Sequence, residues 1–290
     1  MNAGLAAAIL SSALGGTAIV ATRYLSGTLD PITMGAFRFG GGFLVLLALT
    51  MAQPKRWPAR SDWAGVAGLG LLFFGMFPIL FNAALIYTTA ARAALALSTL
   101  PLLTMTAAAM LRVEALTLRK SIGVLVAMAG VAVALASSLH DAPAGAWRGD
   151  LIMVAAAGCM ALYNVWSRPF VARSTAIAFA ASGMAVGASA LVLLTLVSGR
   201  ASAFPQMSGL QWSALAYLAV IGGALIFYLW AYALGRTSPT LVAVSVAVNP
   251  ISAGLLAVPM LGESLSASLA AGLVGVTAGI GIAAWPKRAR

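Results

Sequence analysis

The sequence predicts an all-α membrane protein of ten transmembrane helices, arranged as two inverted five-helix repeats. Three observations carry that reading. Of 290 residues, 62% are apolar and 8% charged, with a mean hydropathy of +1.00, a composition foreign to soluble domains. The apolar residues fall into ten runs bounded by charged or turn-forming residues. A single offset of 149 residues relates the two halves of the chain.

A helix needs about 20 apolar residues to cross a hydrocarbon core of roughly 30 Å. The runs lie at 3–22, 32–51, 63–86, 89–111, 119–138, 150–168, 175–197, 212–234, 238–260 and 265–284. The first has no basic segment ahead of it and exceeds the apolar core of a signal peptide, so it is expected to be a retained helix. Ten crossings occupy nearly the whole chain and leave only short connections. Counting Lys and Arg on alternate sides gives 12 on the side of the N-terminus and 4 on the other, with Arg38 inside the second run. Both termini are therefore expected to be cytoplasmic.

The repeat is carried by matched residues: Trp63 and Trp212, Leu85 and Leu234, Thr88 and Thr237, Pro101 and Pro250, Glu114 and Glu263, Gly123 and Gly272, Gly130 and Gly279. It divides the chain into 1–138, a connecting loop 139–149, and 150–290. Five is odd, so the second copy enters the bilayer from the opposite side. Inverted repeats let two pseudo-symmetric halves exchange conformations around a central site, which is the architecture of alternating access.

Several function classes are disfavoured. The net charge of +11 is spread over short loops with no aromatic-studded basic face, which argues against a nucleic-acid partner. All six acidic residues, Asp30, Asp62, Glu114, Asp141, Asp150 and Glu263, stand in loops or at span ends. With one histidine (His140, in a loop) and one cysteine (Cys159), no metal site, catalytic dyad or cofactor is expected, and no enzyme.

The candidate site residues cluster near the middle of the spans. Pro101 and Pro250 each free a carbonyl four residues earlier, at Leu97 and Val246, making either a packing kink or a break that faces a cavity. Ser238, Ser245, Asn249 and Ser252 share one helical face, as do Thr88, Arg92, Thr99 and Thr106, with Ser98 beside the latter row. Hydroxyl stripes also serve as interhelical glue. Phe77 and Asn82 on the third run, Tyr163, Asn164 and Trp166 on the sixth, and Tyr228 on the eighth are further substrate-binding candidates. Trp57, Trp63, Trp147, Trp212 and Trp285 suit an interfacial belt. Arg38, Arg92 and Arg168 either snorkel to the headgroups or meet a substrate carboxylate.

The marks Ala90-Ala91-Arg92-Ala93-Ala94-Leu95 through Pro101 to Glu114, with the second copy from Pro250 through Leu261-Gly262-Glu263-Ser264, resemble the EamA-type drug/metabolite transporters over essentially the whole chain. Within that family the chain is most similar to the YddG-type exporters of aromatic amino acids. The resemblance implies a central cavity lined by spans 1, 3, 4, 6, 8 and 9. At Leu111-Arg112-Val113-Glu114 the glycine that usually precedes the glutamate is missing, so a differently shaped loop is expected there.

An uncharged cavity of aromatics and hydroxyls suits a small neutral or zwitterionic solute, with aromatic or other bulky neutral amino acids as the expected cargo and amphipathic metabolites such as nucleobases as the alternative. With no carboxylate at bilayer depth, export by uniport is expected, proton coupling being the alternative. The expected setting is a bacterial inner membrane, as a monomer or weak dimer within the lipid bilayer.

Overall fold

The computed structural model describes residues 3–51, 56–137, 144–199, 207–262 and 267–284. Asp141, His140, Glu263 and Trp285 lie outside these. Among the described residues the regular structure is helical, apart from one isolated bridge between Ser26 and Leu29. Eight stretches are long and apolar enough to cross a membrane: Ala3–Leu25, Pro31–Met51, Arg60–Tyr87, Ala90–Met110, Ala146–Trp166, Ala176–Val197, Gly209–Leu234 and Pro239–Leu261. The protein is thus a multi-pass integral membrane protein. Two further helices, Leu118–Ser137 and Ala267–Ala284, pack against each other along their length.

In chain order the helices are α1 (Ala3–Leu25), α2 (Pro31–Met51), α3 (Trp63–Gly70), α4 (Phe77–Tyr87), α5 (Ala90–Leu97), α6 (Leu100–Met110), α7 (Leu118–Ser137) and α8 (Ala146–Trp166). There follow α9 (Arg168–Arg173), α10 (Ala176–Val197), α11 (Gly209–Tyr217), α12 (Ile226–Leu234), α13 (Pro239–Ser245), α14 (Asn249–Leu261) and α15 (Ala267–Ala284). Four spans are interrupted. A π-helical segment, Leu71–Met76, joins α3 to α4, and another, Leu218–Leu225, joins α11 to α12. The span that starts at Ala90 breaks at Ser98–Thr99, and the one that starts at Pro239 passes through a 3-10 turn, Val246–Val248. The last two breaks lie just ahead of Pro101 and Pro250, each in the first turn of the helix that follows, where a missing amide is tolerated.

These interruptions recur in one register. Phe77 and Ile226, the residues after the π segments, are 149 apart, as are the starts of α5 and α13 and those of α6 and α14. So are the capping hydroxyls Thr89 and Ser238, which accept from the amides of Arg92 and Leu241. The turn after α6 departs from this register. Its left-handed residue is Arg112 (φ 55°), whereas the turn after α14 uses Gly262 (φ 67°), one position further along the repeat. A side chain in that region costs about 1–2 kcal/mol.

Packing is closest where glycines face each other. The α2 backbone rides on the second π segment: a Cβ on Gly42 would stand 2.8 Å from the carbonyl carbon of Gly223. On the other side of the bundle α10 rides on the first π segment through Gly183 and Gly187. In lipid, where apolar surface gives little drive for association, such backbone contact is the main source of helix cohesion.

Polar clasps close both ends of the bundle. At one end Arg92 pairs with Asp150, which also accepts from the Thr88 hydroxyl at 3.0 Å. Across the membrane span from there, Glu114 pairs with Lys120 and accepts from the Thr240 hydroxyl (2.7 Å) and amide (3.3 Å), tying the α6–α7 turn to the start of α13. Arg173 and Asp62 form a bidentate pair at 2.7 and 3.0 Å. Burial works to raise the Glu114 pKa. Hydrogen bonds from Lys120 and Thr240, the Lys120 charge and a hydrogen bond from Ser238 outweigh it, holding the carboxyl below its usual range.

Two outcomes are expected. Gly223→Ala and Gly42→Ala should each destabilise the purified protein by about 1–3 kcal/mol through overpacking, while Gly40→Ala, with nothing within 4 Å of where its methyl would stand, should be neutral in the same thermal unfolding series. Because the folded-state Glu114 pKa is depressed, its contribution is present above the ordinary carboxylate pKa and is lost as pH falls through the folded value. Unfolding temperatures taken from neutral pH downward should therefore drop more steeply for wild type than for Glu114→Gln. Parallel curves would show that the clasp carries no stability.

Candidate functional site

All four helix interruptions border one enclosed space at the centre of the bundle. Leu97 precedes the Ser98–Thr99 break, Val246 opens the 3-10 turn, and Phe77, Ile226 and Phe227 follow the π segments; all five line a cavity of about 40 Å³. Ser11, Ser12, Gly15 and Ile19 of α1 supply another wall, and Arg38, Phe81, Met160, Trp230 and Asn249 complete it. A water needs about 10–15 Å³ of such space, and ligand pockets run to about 300–1,000 Å³. As it stands, this space has room for a few waters and not for a drug-sized ligand.

The wall is apolar apart from a few groups. Phe73, Phe74, Phe77, Phe39 and Phe227 form a continuous aromatic cluster with centroids 5.2–5.7 Å apart, and Tyr163 stacks on Phe73 at 4.0 Å. Ser11 donates to the Ile226 carbonyl at 2.8 Å, and Ser12 shares a 2.9 Å hydrogen bond with Ser245. Two wall residues are less committed. Asn249 is buried, with its Oδ1 unpartnered, and stands against α1 at Gly15. Arg38 is 4% exposed, and its Nε and Nη2 donate to the Gly222 carbonyl at 3.2 and 3.0 Å. That carbonyl belongs to the second π segment, whose looser bonding leaves acceptors open to side chains. The rings of Phe39, Phe81 and Phe227 surround the guanidinium at 5.2–5.9 Å.

Of the residues expected from sequence, Phe77 and Asn249 line this cavity. The others lie elsewhere. Asn164 is fully buried, accepts from the Trp230 indole at 2.8 Å and donates to Thr104 at 3.4 Å, so it fastens α12 to α8 and α6. Ser98 and Thr99 donate to the carbonyls of Ala94 and Ala96 within their own helix, and Ser245 to Val242 and Ala8. Asn82 donates to the Pro31 carbonyl at 2.9 Å, joining α4 to α2. Tyr228 sits beside Tyr232, half-buried, and Trp166 faces outward at 45% exposure.

The expectation of an uncharged cavity is corrected by Arg38. Snorkelling requires a helix end, and Arg38 lies in the second turn of α2, walled in by α12 and α4 aromatics. Arg92 pairs with Asp150. The cavity thereby includes span 2 besides the spans expected. Ser11 and Ser12 are further wall residues that the sequence reading passes over, although adjacent hydroxyls within an apolar run are a legible signal.

The EamA-like transporter family matches residues 2–136 and 147–285. Among curated proteins, the uncharacterized transporter YyaM of Bacillus subtilis is 27% identical over 212 residues, 72% of this chain and 69% of that one. The probable terminal-alkyne amino-acid exporter of Streptantibioticus cattleyicolor is 26% identical, covering 80% of each chain. The uncharacterized inner membrane transporter YedA of Escherichia coli K12 is 24% identical over 81% of this chain and 76% of its own. A protein of known crystal structure shares the fold with a TM-score of 0.72 and 25% identity, over 97% of this chain and 95% of that one. A multi-pass helical bundle broken around a central cavity, matched twice along its length by one family, is a transporter and not an enzyme: the chain belongs to the EamA-like transporter family.

Proposed function

We propose that this protein exports small amphipathic solutes, aromatic or other bulky neutral amino acids above all, by alternating access around the central cavity. The observation that carries the reading is the convergence of four helix interruptions on one closed, aromatic-walled space. Irregular backbone at membrane depth is retained where it lines a substrate path. The similarity to a probable terminal-alkyne amino-acid exporter supports the cargo class, as does the pairing of aromatic walls with a few hydrogen-bonding groups.

In this reading α7 and α15 are the fifth and tenth membrane helices, and residues 1–138 and 150–290 are inverted copies with both termini cytoplasmic. The shared 149-residue register of π segments, proline breaks and caps supports it, as does the α7–α15 contact, where Gly279 meets Ala127 and Gly275 meets Gly130 in near two-fold fashion. The bilayer is then a bacterial inner membrane, the setting of the similar YedA. Among the described residues the carboxylates Asp30, Asp62, Glu114 and Asp150 stand at span ends, which supports export by uniport down the substrate gradient.

Three measurements test this. In a background where Cys159 is replaced by Ser, single cysteines at Arg112 and Gly262 should be labelled from opposite sides of the membrane; labelling from one side rules out inverted copies. In proteoliposomes Asn249→Ala should raise the KM for aromatic amino acids about 10-fold or more, the value of a hydrogen bond to a charged group, and leave the unfolding temperature nearly unchanged. Asn164→Ala, by contrast, should unfold earlier because it orphans the Trp230 indole. Finally, liposomes with equal substrate on both sides and an imposed proton gradient should show no net accumulation. Accumulation abolished by a protonophore would replace uniport with proton coupling.

A further inference from the structure

A guanidinium buried in the membrane interior is costly, and such charges are kept where a partner or a function offsets them. Arg38 has no carboxylate partner among the described residues: the three ion pairs there are Arg92–Asp150, Lys120–Glu114 and Arg173–Asp62. Its side-on edge, Nε with Nη2, is taken by the Gly222 carbonyl. Nη1 has no hydrogen-bond partner among the described residues, and the side chain borders the cavity. The end-on edge, Nη1 with the second Nη2 hydrogen, is therefore unused. That edge has the spacing that receives a carboxylate bidentately.

A packing role does not account for the charge. One amide would satisfy Gly222, whereas a guanidinium brings five N–H groups and a full charge. The second half of the chain supplies an internal comparison. Helices α2 and α10 begin at Pro31 and Ala176, 145 apart, after the capping residues Asp30 and Thr175. In that register the counterpart of Arg38 is Gly183, which packs directly on Gly70 and Phe74 of the other interrupted span. The same helix-on-π-segment contact is thus made with no side chain at all.

We propose that Arg38 is the carboxylate-recognition residue of the central site, its free edge receiving the substrate carboxylate while the uncommitted Asn249 amide on the same cavity wall accepts from the substrate's amino group. The inference rests on the carrier reading above and narrows its cargo to solutes that bear a carboxylate on an apolar body, which removes nucleobases. Gly222 holds the guanidinium by one edge, the phenylalanine rings screen it from lipid, and the substrate completes its coordination.

The test uses purified full-length protein and pairs of probes that differ only in the anion: phenylacetate against phenylacetamide, and L-phenylalanine against L-phenylalaninamide, with binding measured by titration calorimetry. Wild type should bind each carboxylate at least about tenfold tighter than its amide, a hydrogen-bonded charge pair being lost in the amide. Arg38→Gln should bring that ratio to about one, and Arg38→Lys should keep part of it, since the charge stays and the fork is lost. A wild-type ratio near one, binding of neither probe pair, or full discrimination in Arg38→Gln would overturn the assignment. Should Arg38→Gln fail to fold, the wild-type ratio and Arg38→Lys still decide: discrimination unchanged in Arg38→Lys counts against a bidentate carboxylate. The cargo reading fails separately. Phenylacetate bound through Arg38 without any binding or transport of phenylalanine would leave the carboxylate site standing and remove amino acids as cargo, whereas equal transport of phenylalanine and its amide would do the reverse.

Discussion

In hydrocarbon a helix must satisfy its own backbone, because no water is at hand to bond a released carbonyl or amide. Every departure from regular helix is therefore costly unless the protein supplies a partner. This chain concentrates its departures at the middle of four spans, two as π segments and two ahead of prolines, and sets them around one point. The partners are local. The Ser98 and Thr99 hydroxyls return to carbonyls of their own helix, the Ser11 hydroxyl reaches the Ile226 carbonyl, and the Arg38 guanidinium reaches Gly222. On the cavity wall hydrogen bonding is left incomplete at Asn249 and at one edge of Arg38, and elsewhere among the described residues at the side-chain oxygens of Thr33, Asn82, Ser167 and Ser182.

How much of this is legible in sequence depends on whether a feature leaves a mark in residue type. Proline does, so the breaks near Pro101 and Pro250 and the register relating them can be read directly. Span boundaries follow charge, and most helix ends fall within a few residues of the apolar runs. The π segments at Leu71 and Leu218 are not legible, since nothing in their composition distinguishes them from α-helix; the second packs against α2 and the first against α10, partners distant in the chain. Hydroxyl and amide side chains are legible as polar and illegible as to partner. Asn164 and Asn249 look equivalent in sequence, yet one is committed to Trp230 and Thr104 while the other bonds nothing at its Oδ1. Arg38 is misread from sequence because nearness to a run boundary suggests snorkelling, whereas the neighbours that surround the head group come from α4 and α12, far away in the chain.

The clasps at the two ends use the chemistry the centre avoids. Arg92 with Asp150 and Glu114 with Lys120 and Thr240 are largely buried charge pairs at span ends. Removing one partner of such a pair leaves the other charge buried and unpaired, which is strongly destabilising. The glycine seams between α2 and the second π segment and between α10 and the first are held instead by close backbone approach.

A lone positive charge at the heart of the bundle makes the protein electrically asymmetric in time. Moving one elementary charge through the full membrane potential is worth about 2.3 kcal/mol per 100 mV. In the proposed alternating-access cycle, the voltage drop shifts as access moves from one face to the other, and Arg38 would pass from one side of the field to the other without itself moving far. A simple organic anion would cancel that charge, whereas a zwitterionic amino acid brings a carboxylate and an ammonium together and leaves the site with the same net charge. In that reading an amino-acid cargo leaves the voltage sensitivity of reorientation unchanged, and only a net-anionic cargo would remove it.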